Sequence, residues 1–426
     1  MNIAVFFGGR SCEHNISVAT GVQAANVLAG NGHKVYCVYV RRDGKWKSSR
    51  AFFDVEVFRG EPGGRSVYLL PGDNRLRFKR GVKKVRIDCA VLCMHGRNGE
   101  DGRLQGLLEL AKLPYVGCGT LSSALCMDKC MTHTVLDYNG IRTAKWACVS
   151  QREIGKMEET CQAIAETLGF PVFVKPANAG SSVGVNKATD METLREAIQI
   201  AFSHDCKVVI EEFIDGKELE VAVFGYDAPF ASYVGEIQPA AEFYDYEDKY
   251  ITGTSQLFIP ARITDAQSDM LRETAVKAYK ALGCKGLSRV DFFLQKDGGI
   301  ILNEINTLPG FTSISMYPKL FEASGIPYSE LLDQLLEQLR HQLAGRRRIR
   351  LMEAHGRIGD IGRRAPVVVD DRHTGAGLEQ VVVFDLVRAV GVHHDEQRAA
   401  VGVQIRLLRR QERLGILRHV QHPVAQ

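Results

Sequence analysis

Between residues 1 and 120, short apolar blocks alternate with stretches in which apolar positions recur at helical spacing. That alternation predicts an α/β sheet covered by helices. Residues 3–7 form the first strand, and Gly8 with Gly9 supplies the turn that follows it. Val18, Val22, Ala25 and Leu28 make one stripe, so residues 17–28 read as a helix. Residues 35–40 and 89–94 read as buried strands.

A second α/β segment, residues 121–207, contains the strand 171–175, and a third, 208–343, opens with the strand 208–212. Within the third, Thr264 followed by Gln267 has the form of a capping box, and Gly283 closes the helix that follows. Leu331, Leu332, Leu335, Leu336, Leu339 and Leu343 form the stripe of a last amphipathic helix. The composition then changes. No lysine follows Lys319, arginines crowd in from Arg346, and Trp, Tyr, Cys and Asn are absent after residue 343. The segment 344–426 is read as translation outside the natural reading frame, non-native or disordered, in preference to a small extra domain or a basic partner-binding extension.

Length places the 426 residues in several domains, and the 45% hydrophobic and 24% charged content is that of an ordinary globular chain. A net charge of +4 is too modest to mark a nucleic-acid or membrane surface. No apolar run approaches the roughly 18–20 residues of a spanning helix. The first apolar stretch has no basic segment before it and is broken by Arg10 and Glu13, so it reads as a first strand and not a signal peptide. The eleven cysteines include no C-x-x-C pair, and they read as reduced thiols of a cytosolic protein.

The most informative chemistry lies in residues 286–306, GLSRVDFFLQKDGGIILNEIN. Two strand-like runs flank Asp297 and Gly298, a strong two-residue hairpin signal. With those two residues as the tip, Asp291 faces Glu304 and Arg289 faces Asn306, all on one face of the hairpin. Like charges placed opposite each other repel, so a shared cation is expected. Two carboxylates and an amide oxygen suit Mg²⁺, with nucleotide phosphates completing its shell. The competing interpretation is a surface salt-bridge patch neutralised by Arg289, against which the apolar Val290, Phe292 and Ile305 argue.

No P-loop sequence is present, and residues 117–119 (GCG) are only a fragment of a dinucleotide fingerprint. Residues 171–184, PVFVKPANAGSSVG, read instead as a strand ending at Lys175, followed by a small-residue loop able to cover phosphates. Lys129 is a second candidate phosphate ligand or a solvated helix residue. The backbone of residues 211–214 could read an adenine edge, with Glu218 nearby for ribose hydroxyls.

Six segments occur together and in order: 7–17 (FGGRSCEHNIS), 95–102 (HGRNGEDG), 123–129 (SALCMDK), 180–184 (GSSVG), 242–250 (EFYDYEDKY) and 303–315 (NEINTLPGFTSIS). Over residues 1–343 the chain resembles the D-alanine–D-alanine ligases of the ATP-grasp superfamily. The resemblance implies a three-domain ATP-grasp fold with a Rossmann-like N-terminal domain, divided as 1–120, 121–207 and 208–343. It implies ATP and D-alanine as ligands, two Mg²⁺ or Mn²⁺ ions on Asp291, Glu304 and Asn306, and a cytoplasmic homodimer. Lys129, Lys175, Ser182, Glu211, Glu212, Phe213, Ile214, Glu218, Lys249 and Phe293 would hold the nucleotide. Glu13 would meet the first alanine's ammonium, with His95 near its carboxylate. Arg289 and the Gly310 amide would serve as oxyanion donors, and Ser315 would hold the second carboxylate. Glu13, Ser181 and Tyr250 would form a network across the closed site, while His14 is expected to support Glu13 and Arg97 to form a loop salt bridge.

The implied reaction is ATP-dependent ligation through an acyl phosphate, for peptidoglycan precursors. Ligation of D-alanine to D-serine or D-lactate is the nearest alternative, disfavoured by the 242–250 loop. A non-catalytic ATP-grasp binding protein is another, disfavoured because every candidate metal ligand and phosphate lysine is present.

Overall fold

The computed structural model describes residues 1–79, 81–180, 183–238, 255–312 and 314–359, with side chains described as far as residue 344. The chain divides into a unit Met1–Leu351 and a unit Met352–Gln426. Of the second, the described part is the final helical segment, residues 352–359.

The described residues of the first unit carry three sheets. Strands β1 (Asn2–Gly8), β2 (Lys34–Val40), β3 (Trp46–Ser48), β4 (Arg65–Leu70), β5 (Asp73–Phe78), β6 (Lys84–Arg86), β7 (Cys89–Leu92) and β8 (Tyr115–Val116) form an eight-stranded sheet in the order β6-β5-β4-β3-β2-β1-β7-β8. Its β2-β1-β7-β8 half is parallel and the remainder antiparallel. Strands β9 (Trp146–Ser150), β10 (Val172–Pro176), β11 (Asn186–Ala188) and β12 (Lys207–Glu212) pair antiparallel in the order β11-β10-β12-β9. Strands β13 (Gly216–Gly225), β14 (Phe230–Gln238), β15 (Gln256–Phe258), β16 (Gly286–Gln295) and β17 (Ile300–Asn306) pair antiparallel in the order β15-β14-β13-β16-β17.

The helices are α1 (His14–Gly30), α2 (Arg103–Leu110), α3 (Thr120–Met127), α4 (Lys129–Tyr138), α5 (Met157–Leu168), α6 (Met191–Phe202), α7 (Asp265–Ala281), α8 (Met316–Ala323) and α9 (Tyr328–Gly359). The α/β expectation holds, and the strands and helices read from periodicity are found within a few residues of their expected bounds. Thr264 caps α7 in the expected box with Gln267, and Gly283 follows its end at a left-handed φ of +67°. The five leucines from Leu331 to Leu339 are buried. The break in composition after residue 343 is not a break in structure, because α9 runs through it to Gly359. Residues 360–426 of the expected tail lie outside the described residues.

Close packing of α1 on β1 brings the N-terminal motif together. A Cβ added to Gly21 would collide with the Cβ of Phe7, next to the strand backbone and unable to rotate away. Helix propensity favours alanine over glycine by about 1 kcal/mol, whereas such overpacking costs about 1–3 kcal/mol. Gly21→Ala is therefore expected to lower the unfolding free energy by up to about 2 kcal/mol, read as a lower urea midpoint at unchanged slope.

Candidate active site

Alternation divides the strands of the five-stranded sheet into two faces. Leu219, Val221, Val223, Val290, Phe292, Leu294 and Ile305 pack into one core cluster with Leu271, Ala275, Ala278 and Tyr279 of α7. The intervening positions carry the polar side chains. The register sets Glu218 against Phe293, Glu220 against Asp291, and Ala222 against Arg289 on one side of β16. On its other side, Asp291 faces Glu304 and Arg289 faces Asn306.

Those two pairs are the ones expected from the sequence, but the tip is different. Gln295 and Gly299 close a three-residue loop through the Gly299 carbonyl, 2.8 Å from the Gln295 N–H, with Gly298 at φ +87°. Near the tip, Phe292 therefore faces Leu302, and a bulge at Asn303 restores the expected register at Glu304.

The Arg289 guanidinium donates to both oxygens of Asp291 at 2.7 Å and lies 3.1 Å from Glu220 Oε2. Burial disfavours its charge, yet Asp291 and Glu220 outweigh burial and hold its pKa well above the ordinary value. The Asn306 amide donates to Asp291 at 3.0 Å and to Glu304 at 3.4 Å. Rotation of that amide would turn its oxygen towards the same carboxylates. Among the described residues no three His, Cys, Asp or Glu side chains gather at metal-binding spacing. The candidate donor set is two carboxylates and an amide, which is oxygen-only and suits Mg²⁺ or Mn²⁺.

Strand β10 of the four-stranded sheet places Val172 and Val174 against α5 and α6, and turns Lys175 to the opposite face. Its ammonium donates to Glu211 at 2.5 Å, and the other Glu211 oxygen meets His133 of α4 at 2.9 Å. Burial alone would raise the Glu211 carboxyl, but Lys175 and His133 bring it down to about 2. Lys175 shows the converse: burial works against its charge, while Glu211, and more weakly Glu304 and Glu218, raise it above its ordinary value. Lys129 opens α4, its ammonium donating to the Ala179 carbonyl at 2.8 Å and its N–H to Ala177 at 3.0 Å. Both lysines thus sit at the loop that follows β10.

The other nucleotide candidates have intramolecular partners. The Glu211 backbone is internal to the sheet, paired with Phe173 and Trp146. The Glu212 carboxylate accepts the Lys145 N–H at 2.8 Å, and the Phe213 N–H goes to Pro171 at 3.1 Å. Ile214, Glu218 and Phe293 are half-buried, and Glu218 and Phe293 face each other across β13 and β16.

Glu13 precedes α1 and is buried, its carboxylate lying against two backbones. A Cβ on Gly96 would collide with it, and one on Gly180 would sit 3.2 Å from it. The glycine of the small-residue loop therefore meets the N-terminal acid directly. His95 is buried with both ring nitrogens engaged, Nδ1 with the Leu308 carbonyl at 3.0 Å and Nε2 with the Thr20 hydroxyl at 3.1 Å. Burial pushes its pKa down, so the neutral ring donates from Nδ1 and accepts at Nε2. His14 is likewise held, by the Gly9 carbonyl and Tyr39. Arg97 is exposed. Ser315 precedes α8, its hydroxyl 2.8 Å from Thr312 Oγ1 and close against Gly310. A helix N-terminus there suits a carboxylate. Ser181, Ser182, Lys249 and Tyr250 lie outside the described residues.

The family model described as D-ala D-ala ligase N-terminus matches residues 2–118, and the one described as D-ala D-ala ligase C-terminus matches residues 135–337. The chain belongs to the D-alanine–D-alanine ligase family. It is 42% identical over 358 residues to a protein of Chlorobium limicola named D-alanine–D-alanine ligase, covering 81% of this chain and 99% of that one. A protein of the same name from Acetivibrio thermocellus is 44% identical over 355 residues, covering 79% and 94%. Among solved structures, the D-alanine–D-alanine ligase of Coxiella burnetii superposes with a TM-score of 0.74 at 34% identity, covering 84% and 99%. The VanG D-Ala:D-Ser ligase of Enterococcus faecalis gives 0.72 at 36%, covering 79% and 99%.

Three side chains at the candidate site of this ligase-family chain were not singled out from the sequence. Glu220 is the third acid around Arg289, and its spacing of two from Glu218 on one strand was the available signal. His133 is one helical turn beyond Lys129, and its partner Glu211 is remote in sequence. Glu100 accepts the Gly96 N–H at 2.6 Å. Desolvation, helped by the charges of Glu13 and Glu304, pushes its carboxyl up to about 8.

A carboxyl ionised in the unfolded chain but neutral when folded lowers stability as pH rises. Stability of the parent should decline through this group from about pH 4.5 to about pH 8. Glu100→Gln removes that slope, so its thermal midpoint should match the parent near pH 4.5 and exceed it increasingly towards pH 8, by differential scanning calorimetry.

Proposed function

We propose that this chain joins two D-alanines into D-alanyl-D-alanine with ATP, through an acyl phosphate, as a cytoplasmic homodimer feeding peptidoglycan synthesis. The observation that carries the reading is the convergence of the Asp291–Glu304 pair and Arg289 on one sheet face with Lys175, whose basicity responds to Glu304. Family membership and the names of the relatives agree with it. No helix among the described residues is long and apolar enough to cross a membrane. Residues 1–120, 121–207 and 208–343 are read as the three lobes, with ATP between the second and third.

Lys129 and Lys175, with Ser182 and Lys249, hold the phosphates, while residues 211–214, Glu218 and Phe293 hold the adenosine. Asp291, Glu304 and Asn306 would hold two Mg²⁺ or Mn²⁺ ions, which when bound neutralise charge developing on the phosphate oxygens. Glu13, packed against Gly96 and Gly180, takes the ammonium of the first D-alanine, with the neutral His95 near its carboxylate. Its carboxylate attacks the γ-phosphorus and ADP leaves. The amine of the second D-alanine, whose carboxylate lies at Ser315, then attacks the acyl carbon and phosphate leaves. Arg289 and the Gly310 N–H donate to the oxyanion that forms. Ser181 and Tyr250 complete the network with Glu13.

The likeness to a D-Ala:D-Ser ligase makes the acceptor the point to test. Phosphate release is measured with D-alanine alone and with D-serine or D-lactate added, and products are identified by mass. D-alanyl-D-alanine as the main product is expected. A D-alanyl-D-serine or ester product would overturn the acceptor, and ATP binding without phosphate release would overturn the activity.

A further inference from the structure

Outside the chemistry just described, a pair of cysteine thiols stands in close contact. Cys130, in the first turn of α4, is buried, and its Sγ lies 2.7 Å from Sγ of Cys148, an exposed residue of β9. Lys207 lies beside them, its ammonium paired with Asp128, the residue that caps α4. The geometry points to a peroxide-reactive dithiol: Cys148 is the attacking thiol, Cys130 the resolving thiol, and the resulting disulfide weakens ATP binding.

The two sulfurs need only a sub-ångström approach to reach a bonding distance of about 2.0 Å. The thiol positions suit the two roles. Cys148 faces solvent, and its pKa is drawn down by the hydrogen bond from Cys130, with the Lys207 charge also favouring the thiolate. The chemistry balances with hydrogen peroxide as oxidant. The Cys148 thiolate attacks one peroxide oxygen, the O–O bond breaks, and hydroxide leaves with the thiolate's former proton as water. The Cys130 thiol then displaces the hydroxyl of the sulfenic acid as a second water, forming the S–S bond. Net, two thiols and one peroxide give one disulfide and two waters, and a dithiol reductant reverses it.

The consequence for ATP follows from strand order. Strands β9 and β10 lie on opposite sides of β12. Cys148 on β9 faces Val209, which in turn faces Lys175 on β10. Lys129 is fixed at its N–H and its ammonium to Ala177 and Ala179, in the loop that continues β10. Stapling Cys130 to β9 draws the start of α4 away from that loop and takes the Lys129 ammonium with it. This last step rests on the assignment of Lys129 to the ATP phosphates; disulfide formation does not.

The test treats the full-length chain with stoichiometric hydrogen peroxide, blocks remaining thiols with N-ethylmaleimide, and maps tryptic peptides by mass. Residues 130–142 should appear linked to residues 146–152, and the KM for ATP should rise several-fold and return on reduction. Cys148→Ser should keep the reduced KM and become insensitive to peroxide. Cys130→Ser should stop at a Cys148 sulfenic acid that dimedone captures. Absence of the linked peptide, or equal peroxide sensitivity in Cys148→Ser, would overturn the site. A linked chain with an unchanged KM for ATP would overturn its effect on ATP. Failure of the ligase reading would show separately, as a linked peptide in a chain that releases no phosphate in either redox state.

Discussion

Asp291→Ala is expected to release phosphate from ATP and D-alanine on the order of 10³-fold more slowly than the parent. Asp291 meets three demands at once. It is the cross-strand partner of Glu304, the bidentate acceptor of Arg289, and an acceptor for Asn306. Its removal takes away a candidate metal ligand and frees the guanidinium to swing towards Glu220, 3.1 Å away. That second partner should keep Arg289 from becoming an unpaired buried charge, so the fold is expected to survive and the loss to lie in turnover. Asp291→Asn separates shape from charge, since it keeps the volume and surrenders the anion. Both variants should show a circular-dichroism melt near that of the parent. Undiminished turnover in either would remove Asp291 from the chemistry.

Glu211→Gln is expected to damage both stability and nucleotide binding. The parent holds Lys175, Glu211 and His133 as a buried chain of contacts at 2.5 and 2.9 Å. Replacing the anion by an amide leaves Lys175 desolvated without its principal counter-charge, a change that costs about 3–5 kcal/mol when one member of a buried pair is lost. The lysine then either sheds its proton or moves to solvent, and in both cases ATP affinity falls. The pH signature follows from a folded pKa of about 2, below the ordinary 4.5. The stabilisation from Glu211 is complete above about pH 4.5 and is lost as pH falls towards 2. Urea unfolding at several pH values should show the difference between parent and variant shrinking on the acid side. A constant difference across that range would sink the assignment.

Legibility of the site from sequence varied with the distance over which its contacts are set. Pairing of Asp291 with Glu304 is local, fixed by a hairpin, and could be read directly. It was read through two departures that cancel: the tip holds one residue more than expected, and the bulge at Asn303 takes up the difference. Turn chemistry alone does not reveal a bulge, because Asn303 is an unremarkable strand residue until its partner strand is known. The Glu211–His133 contact spans 78 residues and the His95–Leu308 contact 213, and no periodicity encodes either. Glu220 was missed for a different reason. An acid on a mostly apolar strand reads as a surface position until the neighbouring strand brings Arg289 beside it. The capping box at Thr264 and the leucine stripe of α9 were legible because both are decided within a few residues. The continuation of α9 through the compositional break was not, since that break marks a change in residue usage and helix formation tolerates it.

The two-faced sheet around β16 and β17 also bears on how such a chain can change over generations. From Arg289 to Leu294 the odd positions of β16 lie on the face of the candidate site and the even ones pack with α7. Selection for folding and selection for chemistry therefore act on interleaved residues of one strand, with little overlap between them. A saturation scan of residues 289–294 should resolve into two combs offset by one. One comb would tolerate polar swaps poorly because expression fails, the other because turnover fails in protein that accumulates normally. A lineage could thus retool the acceptor on one comb while the other keeps the molecule folded.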